Sequence, residues 1–152
     1  MGTIDRLFVP TIAGVLTLTF ALAAVAQEGE RLTDVRVLGN CEDCVFGGQD
    51  FSDRKLTGIN FVSAQLSDIS FDRTAMNIAI FEGADLRGVS FIDTDLSGAS
   101  FVGTRLEDVM FDGADLRGAI FEGAILVRTD MQTARLCNTQ LPDDVMDNSD
   151  CN

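Results

Sequence analysis

A bulky apolar residue returns at every fifth position from Phe51 to Leu126 without a gap: Phe51, Leu56, Phe61, Leu66, Phe71, Met76, Phe81, Leu86, Phe91, Leu96, Phe101, Leu106, Phe111, Leu116, Phe121 and Leu126. Phe46 extends the register backward, and Met131, Leu136 and Leu141 carry it onward. Two positions before nearly all of them sits a small or β-branched residue, as at Ala64, Thr74, Ala84, Val89, Ala99, Ala114 and Ala124. The positions between hold Asp, Arg, Ser, Glu and Gly. A period of five fits neither a helix at 3.6 nor a flat strand at 2. It belongs to a turn-based solenoid, in which each repeat supplies one side of a coil and buries its large residue only against its neighbours. The expected fold class is therefore an all-β solenoid.

The flanks break the period. Residues 1–26 read as a secretory signal: a short start with Arg6, an uncharged run from Leu7 to Ala26, and Ala24-Val25-Ala26 as a cleavage site before Gln27. The competing reading is an uncleaved anchor, against which Pro10, Gly14, Thr11, Thr17 and Thr19 weigh. In residues 27–40, Leu32, Val35 and Leu38 recur at a spacing of three before Gly39, which predicts a short N-terminal capping helix over the open first coil. The repeats are expected over 41–141, and 142–152 forms a polar C-terminal tail.

Composition narrows the function. Asp plus Glu number 24 against Lys plus Arg 11, a net charge of −13, so no nucleic-acid partner and no anionic membrane surface is expected once the signal is removed. The chain has no His, Trp or Tyr, which removes the commonest general base and metal ligand. No catalytic residue, cofactor, metal or small-molecule substrate is expected. Asp93 with Asp95, and Asp143 with Asp144, lack the ligand count and spacing of a calcium loop and read as solvated surface. Cys41 and Cys44 form a CxxC at the start of the repeats, in phase with inward positions. It reads as a redox dithiol, as half of a zinc site, or as a structural disulfide of an oxidising compartment; the inward phase and the signal segment favour the last.

Ala84-Asp85-Leu86-Arg87-Gly88 and Ala114-Asp115-Leu116-Arg117-Gly118, with Thr94-Asp95-Leu96-Ser97-Gly98 close behind, resemble the pentapeptide-repeat family. The CxxC at the start and the exit from Cys137 to Cys151 are similar to its secreted members. The resemblance implies a right-handed, four-sided β-helix of about five coils, a rod on the order of 25 Å long at strand spacing. Phe51, Phe71, Phe91, Phe111 and Met131 then form one ladder, and Phe61, Phe81, Phe101, Phe121 and Leu141 the facing one. Leucines line the other two walls and no lumen remains. Ile69, Val89 and Val109, large where the family has a small residue, are expected to disturb one wall. In a rod of that length cross-end disulfides are too long, which leaves Cys41–Cys44 and Cys137–Cys151.

The expected function is a non-catalytic exported module, structural or protein-binding, located in the periplasm, outside the cell, or in the lumen of a cyanobacterium. The alternatives are an acidic DNA-mimic rod that binds an enzyme such as gyrase, and a secreted thiol redox protein using Cys41 and Cys44. Outward-phase Val62, Ile80, Val102 and Ile120, continued by Ile125 and Val127, make an apolar zigzag expected to dock a protein partner or a second copy.

Overall fold

A computed structural model describes residues 39–151 of the 152-residue chain, and in them the period of five becomes a set of parallel ladders. The expected signal segment (1–26) and all but the last two residues of the expected cap (27–40) lie outside the described residues. Seven short strands follow one another: β1 (Val45–Gly47), β2 (Gln65–Ser67), β3 (Asp85–Arg87), β4 (Arg105–Glu107), β5 (Ile125–Val127), β6 (Thr139–Gln140) and β7 (Met146–Asp147). The first five make one parallel sheet in chain order. Its register sets Phe46 beside Leu66, Leu66 beside Leu86, Leu86 beside Leu106, and Leu106 beside Leu126. Each step is twenty residues, so four full turns separate β1 from β5.

Single-residue parallel bridges build three more ladders: Asn40-Asn60-Ile80-Ser100-Ile120-Gln140, Asp50-Ser70-Ser90-Met110, and Lys55-Ala75-Asp95-Asp115-Arg135. With the β1–β5 sheet these make four walls, offset by five residues. The chain is an all-β solenoid with four sides.

Inside, the two phenylalanine ladders meet. Phe71, Phe91 and Phe111 stack with centroids 5.4–5.5 Å apart, and Phe81, Phe101 and Phe121 at 4.7–4.8 Å. Across the axis the rings meet edge-on, as in Phe101 to Phe111 at 6.0 Å and 89°. From Phe81 to Phe121 each ring is thus stacked in its own column and edge-on to the other, the two arrangements that the aromatic quadrupole favours, while Phe61 and Phe71 meet tilted at 57°. The small residues two positions earlier are buried with them. Where that residue is Thr, its hydroxyl donates to the carbonyl one coil back: Thr94 to Phe71 and Thr104 to Phe81, both 2.7 Å. These buried hydroxyls are thereby satisfied, whereas Gln49 Oε1, on the same phase before Phe51, is buried without a partner. Ile69, Val89 and Val109 are buried too, and the ladder bonds beside them stay at 2.9–3.1 Å (Ser90 N–H to Ile69, Met110 N–H to Val89). The expected disturbance of that wall does not occur, because the side chains stack on one another at the coil spacing.

The corners carry a rule that the period alone does not reveal. On three walls the central residue's carbonyl accepts the N–H three residues on, as Phe61 does from Ala64 (3.0 Å) and Met76 from Ala79 (3.0 Å). The residue two after the central one has positive φ, as Ser63 (+56°) and Gly83 (+66°) do, which is the arrangement of a type II turn. Nine of the fourteen glycines fall on this phase (48, 58, 83, 88, 98, 103, 113, 118, 123). Asp takes five further places, where its short polar side chain tolerates the left-handed region. Ile78 is the outlier: a β-branched residue at φ +54°, 59% exposed, between Gly58 and Gly98 on its corner.

The solenoid loses its regularity after β5. Asp93 donates to the carbonyl of Asp112, nineteen residues on, whereas Gly113 reaches Thr133, twenty on. The distortion is local, because Asp115 still pairs with Arg135 and Ile120 with Gln140 at the twenty-residue step. The tail then reverses at Pro142–Asp144 and β7 pairs antiparallel with β6.

Two outcomes test this packing. Phe101→Ala removes a ring from mid-column and should cost roughly 3–5 kcal/mol in denaturant melts, while Ser97→Ala, on the outside of the same coil, should stay within about 0.5 kcal/mol. Equal losses would refute the register. Ile78→Asn relieves the left-handed β-branched residue and should stabilise by about 1 kcal/mol; a loss of similar size would show that the isoleucine's contacts outweigh its backbone strain.

Candidate interaction surface

The cysteines clamp the two ends. Cys41 is buried at the foot of the core and bonded to Cys44, with Cα atoms 5.3 Å apart. Cys137 is bonded to Cys151 at 4.9 Å. Both pairs are those the rod implied, and no free cysteine remains. At the C-terminal clamp Asp150 N–H donates to Leu136 (2.8 Å), and its carboxylate takes the N–H of Leu136 (2.9 Å). Among the described residues no cluster of three or more His, Cys, Asp or Glu is placed to hold a metal ion. Asp95 instead accepts from Ser97 N–H and Oγ, and Asp144 from Gln140 Nε2.

With the axis filled by rings, any recognition falls to the outer walls. On the β1–β5 wall the register sets Asp85 beside Arg105 and Arg87 beside Glu107, a two-by-two charge pattern. Arg87 pairs with Asp85 at 2.8 Å and Arg105 with Glu107 at 3.0 Å. Arg128 closes the pattern at the corner, on Asp108 (2.6 Å) and Glu107 (2.8 Å). A shallow depression of about 300 Å³ lies over β1–β3, lined by Val45, Gln65, Leu66, Ser67, Asp85 and Arg87. On other corners Arg73 holds Asp53 through two bonds of 2.9 Å, and Arg117 holds Asp115.

The expected apolar zigzag lies mainly on the next wall. Ile80, Ser100 and Ile120 share one ladder. Val62 and Val102 lie two residues from it in alternate coils, and Ile125 and Val127 lie round the corner on β5. Ile120 (38%) and Ile125 (55%) are exposed, while Val62, Ile80, Val102 and Val127 are half-buried. The complementary zigzag is polar and tied to itself, with Ser100 Oγ donating to Glu82 at 2.9 Å. Sequence reasoning missed Val45, Ile78, Val145 and Met146, all more exposed than Ile120. For Ile78 a signal existed, since it occupies the phase that glycine otherwise takes.

Arginine bonds hold the carboxyls of Asp53, Asp85, Glu107, Asp108 and Asp115 below the usual carboxylate range, through Arg73, Arg87, Arg128, Arg128 and Arg117 respectively. A folded pKa below the unfolded one (3.8 for Asp, 4.5 for Glu) means that the unfolded chain takes up protons first as pH falls. Their stabilisation is complete above the unfolded values and is lost as pH drops through the folded ones. With no histidine to titrate, the denaturant midpoint should be flat between about pH 6 and 8 and fall below about pH 4. A midpoint that rises on acidification would show that relief of the net −13 charge outweighs the arginine pairs.

Residues 76–125 match the family model for pentapeptide repeats, in nine copies. Among solved structures, a pentapeptide repeat protein from the thylakoid lumen of Arabidopsis thaliana is 28% identical over 68% of this chain and 72% of its own, with a TM-score of 0.65. HetL, a pentapeptide repeat protein involved in heterocyst differentiation regulation in the cyanobacterium Nostoc, is 24% identical over 71% of this chain and 51% of its own (TM-score 0.36). QnrB1, a plasmid-mediated fluoroquinolone resistance protein, is 17% identical over 66% of each chain (TM-score 0.40). No curated protein matches the sequence. The matched repeats are thus similar to those of the pentapeptide-repeat family, and the ladders of the same twenty-residue step continue on either side of them.

Proposed function

We propose that this protein is an exported, non-catalytic rod that serves as a structural or protein-interaction module through its outer walls. The observation that carries the reading is the interior: among the described residues two phenylalanine ladders, stacked along the axis and edge-on across it from Phe81 to Phe121, fill the space where a substrate would sit. Export is supported by the signal-like segment 1–26 and by the likeness to a protein of the thylakoid lumen. The paired cysteines suit an oxidising compartment. Residues 27–40 would close the N-terminal end of a rod of about five coils, and 142–152 the C-terminal end.

The surface that does the binding in this reading is the apolar zigzag of Val62, Ile80, Val102 and Ile120 with Ile125 and Val127, set in an otherwise acidic exterior. Its partner is another protein or a second copy. Changing both Ile80→Asp and Ile120→Asp should leave the fold within about 1 kcal/mol and abolish self-association or partner capture. Light scattering that finds only monomer at high concentration, with every partner of the parent protein still retained by the double variant, would overturn it.

A further inference from the structure

Beyond β5 the chain does not lay down the next strand. In earlier coils each ladder is closed from above: Asp85 N–H donates to Ala64, Arg105 N–H to Ala84, and Ile125 N–H to Thr104. The segment that would occupy this place over β5, around Val145, has turned back at Pro142–Asp144 to pair with β6. Among the described residues the five-stranded sheet therefore ends at β5. Ile125 gives its N–H to Thr104, and the carbonyl of Val127 accepts from Asp108 (3.0 Å), so both face β4. By the alternation of a parallel ladder, the N–H and C=O of Leu126 between them face the open end of the solenoid.

This edge is apolar and framed by acid. All three residues of β5 are aliphatic, with no Lys, Glu or Pro in the strand to discourage pairing. Three of the seven exposed large hydrophobic side chains, Ile125, Val145 and Met146, lie on β5 or in the segment that turned away from it. At the corner before β5, Gly123, which follows Glu122, gives its N–H to Pro142 (3.4 Å), which precedes Asp143 and Asp144 in the chain. At the corner after it, Arg128 is already neutralised by Glu107 and Asp108, and Asp130 follows. A second copy would bring the same acids and the same net charge of −13 against this edge, and like charges oppose such pairing.

We propose that the free edge of β5 is a strand-addition site for an extended segment of a partner protein, with aliphatic side chains at alternate positions and Lys or Arg at both ends. The proposal rests on the reading of this chain as a protein-interaction module. The probe is a synthetic seven-residue peptide of alternating valine and threonine with a lysine at each end. In the intact protein it should slow hydrogen exchange at the Leu126 amide at least about tenfold, and bind about tenfold more tightly than the same peptide with glutamate ends. Its affinity should fall with added salt. A copy of the peptide N-methylated at alternate residues, which keeps its side chains but cannot pair, should give no protection. The double variant Ile80→Asp and Ile120→Asp should bind the peptide as the parent does, which separates this site from the lateral wall. The proposal falls if millimolar peptide leaves Leu126 unprotected, if protection appears only along Ser100 and Ile120, or if the N-methylated copy binds equally. It falls also if Leu126 in the free protein gains protection with protein concentration, since the edge is then filled by a second copy.

Discussion

Along every wall the backbone of one coil is hydrogen-bonded to the next: Phe71 N–H to Ser90, Phe81 to Ser100 and Phe101 to Ile120, at 2.7–2.8 Å. These bonds run parallel to the rod and hold the coils at strand spacing, about 4.8 Å. That distance is also close to the contact distance of stacked rings, and Phe101 and Phe121 lie 4.7 Å apart. One constraint therefore serves both backbone and core. The twenty-residue step has to be kept strictly, because a slip of one residue would turn inward side chains outward on every wall above it.

The surface follows from the same constraint. Since each position stacks on its own kind, charges also form columns, and a column of like charge would be costly. The β1–β5 wall avoids this by alternation, with Asp85 beside Arg105 and Arg87 beside Glu107. Corner carboxylates are met by arginines one coil away, as Asp53 is by Arg73 and Asp108 by Arg128. Polar side chains are spent on one another or on the ladder, and the patches left for recognition are aliphatic.

The C-terminal end obeys different physics. A repeat buries its large residue against the coils on either side, and the last coil has a neighbour on one side only. Here the chain reverses at Pro142–Asp144 and is tied by Cys137–Cys151 and by Asp150 on Leu136. The cover formed by the returning tail reaches β6. It leaves β5, whose strand neighbour would have been the segment that turned away.

Much of this was legible in the residues. The period of five gave the solenoid, the alternation of Phe and Leu gave facing ladders, and the resemblance to pentapeptide repeats gave the four walls and both disulfides. The left-handed corner was written in the phase of the glycines, though the bulky residues drew attention away from it. Ile78 shows why phase alone is insufficient, for there a β-branched residue occupies the glycine position and projects into solvent. The reversal of the tail, the free edge of β5 and the exposure of Val145 and Met146 were not legible. Within the repeats every residue's neighbours are those one twenty-residue step before and after it, so the sequence by itself determined the environment of each position. At the last coil there is no further copy. Which backbone groups are covered there was decided by tertiary contacts between segments that share no period.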